Sequence, residues 1–341
     1  MKSTLHASLG ALLAVFVAAC GGGGSGGESS MPPSTTPVLE LLAGAMSSPG
    51  HVDGAGSQAR FSGASDLAVD TAGNVFVVEG DAAGSNHDIR RITPAGVVST
   101  IASYDATLEL HGIALDDAGN VYVGASTFCA DLTFNCGGRG EIHRIDPSGA
   151  RTTVEARSSS DGTATSFLAI RYLTRDRAGN FYVVDSFAKR LRLSAEGDLT
   201  TLMGTSNTTI LHLASVTAVD EEGIPYEPVR GDGQIGIAAI GNGSAQGVSP
   251  SQFAPGTALA DPGGIAIDSG HNFYVTDAAR QVVRKLTSNG MVSVVAGVSD
   301  QRGFLPGLLP GGLDNPRGIA IHGSDLHIAM DTAIAVVRNR P

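Results

Sequence analysis

The sequence predicts an all-β fold, a six-bladed β-propeller, and three observations lead to it. One phrase recurs along the chain: SDLAVDTAGNVFVVE from Ser65, HGIALDDAGNVYVGA from His111, RYLTRDRAGNFYVVD from Arg171 and GGIAIDSGHNFYVTD from Gly263. Weaker copies are SVTAVDEEGIPYEPV from Ser215 and RGIAIHGSDLHIAMD from Arg317. Their anchor residues, Asp70, Asp116, Asp176, Asp220, Asp268 and His322, lie roughly 50 residues apart, the length of a four-stranded blade. Two further apolar segments follow the phrase in most units, and one apolar segment, PVLELLAGA at 37–45, stands alone before the first unit.

Taken in chain order, residues 1–19 hold one charge, Lys2, and the apolar run LGALLAVFVAA. That pattern predicts a secretory signal peptide, too short to span a bilayer. Val17-Ala18-Ala19-Cys20 resembles the bacterial lipobox, which implies cleavage before Cys20 and a lipid on its sulfur. Residues 20–36 then form the lipidated Cys20 and a Gly/Ser/Pro tether without apolar periodicity. Residues 37–341 are the propeller domain. Gly21 stands where inner-membrane retention is associated with Asp, so the expected address is the bacterial cell envelope, lipid-anchored, at the outer membrane.

Within each unit, alternation such as Asn120-Val121-Tyr122-Val123 has the period of two of a half-buried strand. Asp-x-x-Gly-Asn supplies the turn, because Asp accepts from amides ahead of it and Gly or Asn adopts left-handed backbone. The third strands read HDIRRITP, GEIHRIDP, KRLRLSAE and QVVRKLTS, and the fourth GVVSTIAS, DLTTLMGT and MVSVVAGV. The final unit stops after AVVRNR without a fourth strand. The lone segment 37–45 is therefore expected to pair with that last blade and close the ring, removing two open sheet edges. The unit around Asp220 contains Pro225 and Pro228, which fit a central strand poorly. Five blades and a long insertion are the alternative there.

The formal charge is −11 over 341 residues. A nucleic-acid partner is not expected, since phosphate contacts need a surplus of Lys and Arg. Of three cysteines the lipobox takes one, leaving Cys129 and Cys136. In an oxidising envelope these are expected to form a disulfide across a small loop, a metal pair being the weaker reading.

These repeats resemble NHL repeats, whose units carry Gly-Ile-Ala-x-Asp, then Gly-Asn-x-Tyr-Val-x-Asp, then an Arg-Ile strand, and DGAGSQARF at Asp53–Phe61 resembles the segment preceding them. The resemblance covers nearly the whole domain and implies a propeller. It leaves function open, because such propellers include binding modules, lyases and lactonases. The similar amidating lyases hold zinc through entrance histidines on several blades. Here only His111 matches, and a catalytic zinc needs about three protein ligands.

Loops entering the innermost strands share one face, around the mouth of the central channel. The aligned entrance positions are Ser65, His111, Arg171, Ser215, Gly263 and Arg317. His111, Arg171 and Arg317 are the candidate binding residues, clamping a small anionic ligand. The competing expectation is that each cation simply pairs with an acid. Glu79, Asp185, Asp277 and Asp331, at the ends of four second strands, are weak metal candidates. The gluconolactonase-like resemblance implies a central divalent ion held by such groups, with Ca²⁺ entering only on that reading. Because these acids recur in register, capping a turn is the favoured role, and the Glu-Gly-Pro opening of those lactonases is missing.

GDGQIG at 231–236 lacks the βαβ unit a nucleotide fingerprint requires. Neither G-x-S-x-G nor H-E-x-x-H occurs. His51, His143, His212, His271 and His327 share no metal spacing and are expected at the surface. The expected function is an envelope binding or interaction module, monomeric, taking an envelope protein or a small anion. A divalent-metal-assisted hydrolase or lyase is the alternative.

Overall fold

In the computed structural model the described residues are 36–80, 87–127, 139–186, 189–203, 211–212, 217–231, 234–240, 247–248 and 259–341. Cys20, Cys129 and Cys136, with the lipid and disulfide expected there, lie outside them. Thr36–Pro341 forms one compact unit. Its strands form six sheets, antiparallel except where Ala156–Ser158 runs parallel to Asp198–Met203, and among the described residues no helix is long and apolar enough to cross a membrane.

Each sheet is one blade, its strands running outward from the channel in chain order. Blade 1 comprises Ala64–Val69, Val75–Gly80, His87–Ile92 and Val97–Tyr104. Blade 2 comprises Leu108–Leu115, Val121–Thr127, Arg139–Ile145 and Arg151–Thr153. Blade 3 comprises Ile170–Arg175, Phe181–Asp185, Arg190–Leu193 and Asp198–Met203. Blade 5 comprises Pro262–Ile267, Phe273–Asp277, Val282–Leu286 and Val292–Ala296. The innermost strands pack in cyclic order, and that of blade 6 returns against blade 1.

Blade 4 is present, so the ring has six members. Among the described residues its inner edge consists of Leu211–His212 and Ala218–Val219, both paired with Pro225–Gly231, which is followed by Gln234–Ala239 and Gly247–Val248. Pro225 lies opposite Val219 at the start of its strand, a position that tolerates a missing donor.

Closure follows the expected route. Blade 6 runs Pro316–His322, Asp325–Met330 and Ala333–Arg338, and its outer strand is the N-terminal Val38–Gly44. That strand pairs antiparallel with Ala333–Arg338, from Val38 opposite Arg338 to Gly44 opposite Ala333. Leu42 and Ala43 then enter the apolar layer between blades 6 and 1, with Leu67, Val77, Ile334 and Val336. Leu39 enters the layer on the other side, with Tyr274, Val283 and Val337. Burying a Leu contributes about 1.5–3 kcal/mol, so both faces of the closing strand hold it in place.

The recurring Asp–Asn pair is a hydrogen-bonded turn on the face away from the entrances. In blade 2 Asp116 Oδ1 accepts from the amides of Ala118 at 3.0 Å and Asn120 at 2.8 Å. Its Oδ2 accepts from Asn120 Nδ2 at 2.7 Å and the Tyr122 hydroxyl at 2.9 Å. Arg144 of the third strand then donates to Asn120 Oδ1 at 2.8 Å. Arg91 on Asn74 and Arg192 on Asn180 repeat this at 3.0 and 2.9 Å. The Asn, Tyr and Arg of the repeat are thus one network on one carboxylate. Asp116→Ala removes four of its bonds and is expected to cost about 2–3 kcal/mol, read as a lowered midpoint in urea denaturation; an unchanged midpoint would show the turn forms without it.

Candidate functional site

At the channel entrance the inner strands of blades 1, 2, 3, 5 and 6 carry a bulge, where two residues oppose one on the second strand. Register shifts occur between Ala64 and Asp66, His111 and Ile113, Ile170 and Tyr172, Pro262 and Gly264, and Pro316 and Ile319. A bulge leaves its extra residue unpaired and re-aims the chain. Ser65, Arg171, Gly263 and Arg317 occupy such positions, whereas His111 stays paired with Gly124 and the bulge falls on Gly112.

His111 and Arg171, from neighbouring blades, come together on Glu109. The Glu109 carboxylate is 3.2 Å from His111 Nε2 and 3.6 Å from Arg171 Nη1. The hydrogen bond with His111 is the largest cause holding the Glu109 carboxyl below its ordinary pKa; partial burial opposes it, and the charges of His111, Arg171 and His87 add to it. Arg171 remains 41% exposed, so its side chain is in part open to water. Arg317 has different partners: its Nε is 2.7 Å from Asp331 Oδ1, and Asn315 Nδ2 donates to the other oxygen at 2.7 Å. Sequence spacing does not find Glu109, the acid that joins the first two cations, because it precedes the repeated phrase.

The four second-strand acids serve the loops around them. Glu79 accepts from the Ser62 amide at 2.6 Å and from Arg90 Nη1 at 2.6 Å. Asp277 accepts from the amides of Ala260, Asp261 and Arg280 at 2.9, 3.1 and 3.2 Å. Asp185 accepts from Lys189 N at 2.9 Å, and Asp331 holds Asn315 and Arg317 as described. Glu79 and Asp277 therefore cap the loop entering their own blade's inner strand. Among the described residues these four do not share a metal-sized cluster: the two groups of candidate ligands are His51–Glu79–Asp88 and Asp220–Glu222–His271.

The histidines depart from the surface expectation. His143 and His327 are buried at 7% and 4% exposure, because the strand period turns them toward neighbouring sheets. His143 stacks on Tyr104 with ring centroids 5.7 Å apart, packing blade 2 on blade 1.

Two residues on the channel wall were missed although the repeat contains their signal. Blades 2, 5 and 6 carry Gly112, Gly264 and Gly318 just before the Ile of the phrase, while blades 1 and 3 carry Asp66 and Tyr172. A Cβ on Gly318 would lie 2.6 Å from Asp66 Cα, which shows how closely adjacent inner strands approach there. Asp66 points its carboxylate into that seam, accepting from Leu67 N at 2.9 Å and from Ile113 N of blade 2 at 3.2 Å. Burial drives its pKa up to about 7, against those two amide bonds. Burial also holds the Tyr172 hydroxyl well above its usual range, with the Asp66 charge adding to the effect. The departure of these two units from the repeat's own glycine was the available clue.

No family model matches the chain, and no curated protein matches it. Solved structures do. An auxiliary nutrient binding protein from Bacteroides thetaiotaomicron VPI-5482 is similar at TM-score 0.63 and 15% identity, over 88% of this chain and 76% of its own. A gluconolactonase from Xanthomonas campestris is similar at TM-score 0.54 and 14% identity, over 89% of both chains. A virginiamycin B lyase from Staphylococcus aureus is similar at TM-score 0.50 and 12% identity, over 81% of this chain and 94% of its own. At these identities the likeness establishes the fold, and the differing activities show that the fold does not select one.

Proposed function

We propose that this chain, with the NHL-like six-bladed propeller fold, is a binding module of the bacterial cell envelope whose channel mouth takes a small anionic ligand. One observation carries the reading: Glu109 holds His111 and Arg171 side by side while leaving Arg171 41% exposed. Guanidinium has five donors in a fixed fork, and a single carboxylate oxygen at 3.6 Å leaves a bidentate edge for a ligand carboxylate or phosphate. Arg317, 47% exposed beside Asp331, adds a third cation on the same face. The structural likeness to auxiliary nutrient binding proteins supports a binding role.

The lipid on Cys20 and the tether through residue 36 would hold the module at the membrane, and a Cys129–Cys136 disulfide would brace its loop at the mouth. A hydrolase or lyase using Glu79, Asp185, Asp277 and Asp331 around a central Ca²⁺ is less well supported, since among the described residues these four acids share no metal-sized cluster.

Phosphate and citrate serve as probes. Saturation at about 100 times the dissociation constant stabilises a folded protein by about 2.7 kcal/mol, a rise of roughly 4 °C in melting temperature for a domain of about 300 residues. The His111→Ala, Arg171→Ala double variant should lose that rise. A rise of equal size in the double variant rejects the site.

A further inference from the structure

We infer that His51, Glu79 and Asp88 form a binding site for a divalent cation of the zinc class on the rim of blade 1. The three donors come from separate segments: the loop after the closing strand, the end of the second strand and the start of the third. His51 Nδ1 lies 3.2 Å from Glu79 Oε1 and 3.3 Å from Asp88 Oδ2, and all three atoms lie within 4.8 Å of one another.

Those separations are the edges of a coordination polyhedron. A tetrahedral ion with bonds near 2.0–2.1 Å sets its ligand atoms roughly 3.3 Å apart. Both His51 nitrogens are shielded from water and have no hydrogen-bond partner, although two carboxylate oxygens lie this close to Nδ1. Glu79 Oε1 also accepts from the Ser62 amide at 2.6 Å, which leaves its second lone pair for an ion. Nitrogen and oxygen atoms held around a shared ion have this relation, close without bonding one another.

Charge points the same way. The fully buried guanidinium of Arg90 is shared by Glu79 and Asp53, and among the described residues Asp88 has no Lys or Arg as an ion-pair partner. Buried carboxylates are costly unless they are neutralised. A divalent cation between Glu79 and Asp88 supplies that charge. Arg90 Nη1 meanwhile holds Glu79 Oε2 at 2.6 Å, fixing the carboxylate so that Oε1 faces His51. Outer partners of this kind commonly orient metal ligands. The imidazole–carboxylate donor set suits zinc better than calcium, which takes six to eight oxygens.

The other cluster makes the contrast. His271 Nε2 stands 3.6 Å from both Asp220 and Glu222, and His271 and Glu222 are 45% and 62% exposed. Its edges are longer and two of its three side chains are open to water, although Asp220 Oδ2 is buried without a hydrogen-bond partner; it serves as the comparison.

The test is zinc titration of the full chain, free of a histidine tag, after chelator treatment. One Zn²⁺ per chain is expected, with affinity at least tenfold weaker in His51→Ala and in Asp88→Asn and unaltered in His271→Ala. Cobalt in place of zinc should give the visible d–d bands of a tetrahedral site in the unmutated chain, a readout independent of how the variants fold. Absence of stoichiometric zinc, cobalt bands of an octahedral ion, or binding that depends on His271 and not on His51 would overturn the assignment.

Discussion

Asp66→Asn should make the protein more stable at pH 8 and no more stable at pH 4.5. The carboxyl sits in the seam between blades 1 and 2, where burial pushes its pKa from 3.8 to about 7. A raised pKa means the folded state holds the proton more tightly than the unfolded chain. The associated stability is fully present below the unfolded value and is lost as pH rises toward 7. At 1.36 kcal/mol per unit, that loss is on the order of 4 kcal/mol.

Asparagine stays neutral throughout and keeps one acceptor for the seam amides, losing about 1 kcal/mol for the other. A net gain of about 2–3 kcal/mol above pH 7 follows, vanishing or reversing near pH 4. Buried His327 acts in the opposite sense: burial depresses its pKa from 6.5 to about 4, so its contribution is present above 6.5 and lost as pH falls toward 4. The two oppose each other in the unmutated protein, and only the difference curve between variant and parent isolates Asp66. Urea denaturation across pH 4 to 8 measures it, and parallel curves would show that Asp66 does not titrate in this range.

Gly112→Ala should destabilise the chain by about 3–5 kcal/mol, against about 1 kcal/mol for Gly119→Ala. Both glycines have left-handed backbone, at φ 68° and 80°. They differ in what a methyl group would meet. At Gly119 the nearest atom is Pro147 Cγ at 3.6 Å, ordinary contact. At Gly112 the methyl would run into the Leu173 amide nitrogen and lie 2.8 Å from Leu173 Cβ and 2.9 Å from its Cα, so the inner strand of blade 3 must move. Thermal melts of the two variants give the comparison, and equal losses would refute the close blade-to-blade approach.

The turn network around Asp116 was legible in sequence because the partners of that carboxylate lie within six residues, and a contact that local recurs as an Asp and an Asn four apart in blades 1, 2, 3 and 5. Ring closure was legible because a lone apolar strand and a blade missing one are complementary deficits. The pairing of His111 with Arg171 was half legible. Alignment set both at blade entrances, but their joining group, Glu109, lies outside the repeated phrase and belongs to one unit only. His51 carries no repeat signal either, since its loop occurs once. Its nearness to Glu79 and Asp88 depends on where the closing strand delivers the chain. His143 and His327 were expected at the surface because histidine alone does not reveal which face of its strand meets the next sheet.

By itself the sequence determined the repeating units, their turns and the closing strand. These follow from interactions within one unit, where spacing along the chain equals spacing in space. Tertiary structure alone decided that the blade around Asp220 completes the ring, which Arg shares an acid with His111, and that Asp66 lies buried between blades. The last two depend on how one blade meets its neighbour, at separations of about 40–60 residues, where linear spacing carries no record of distance.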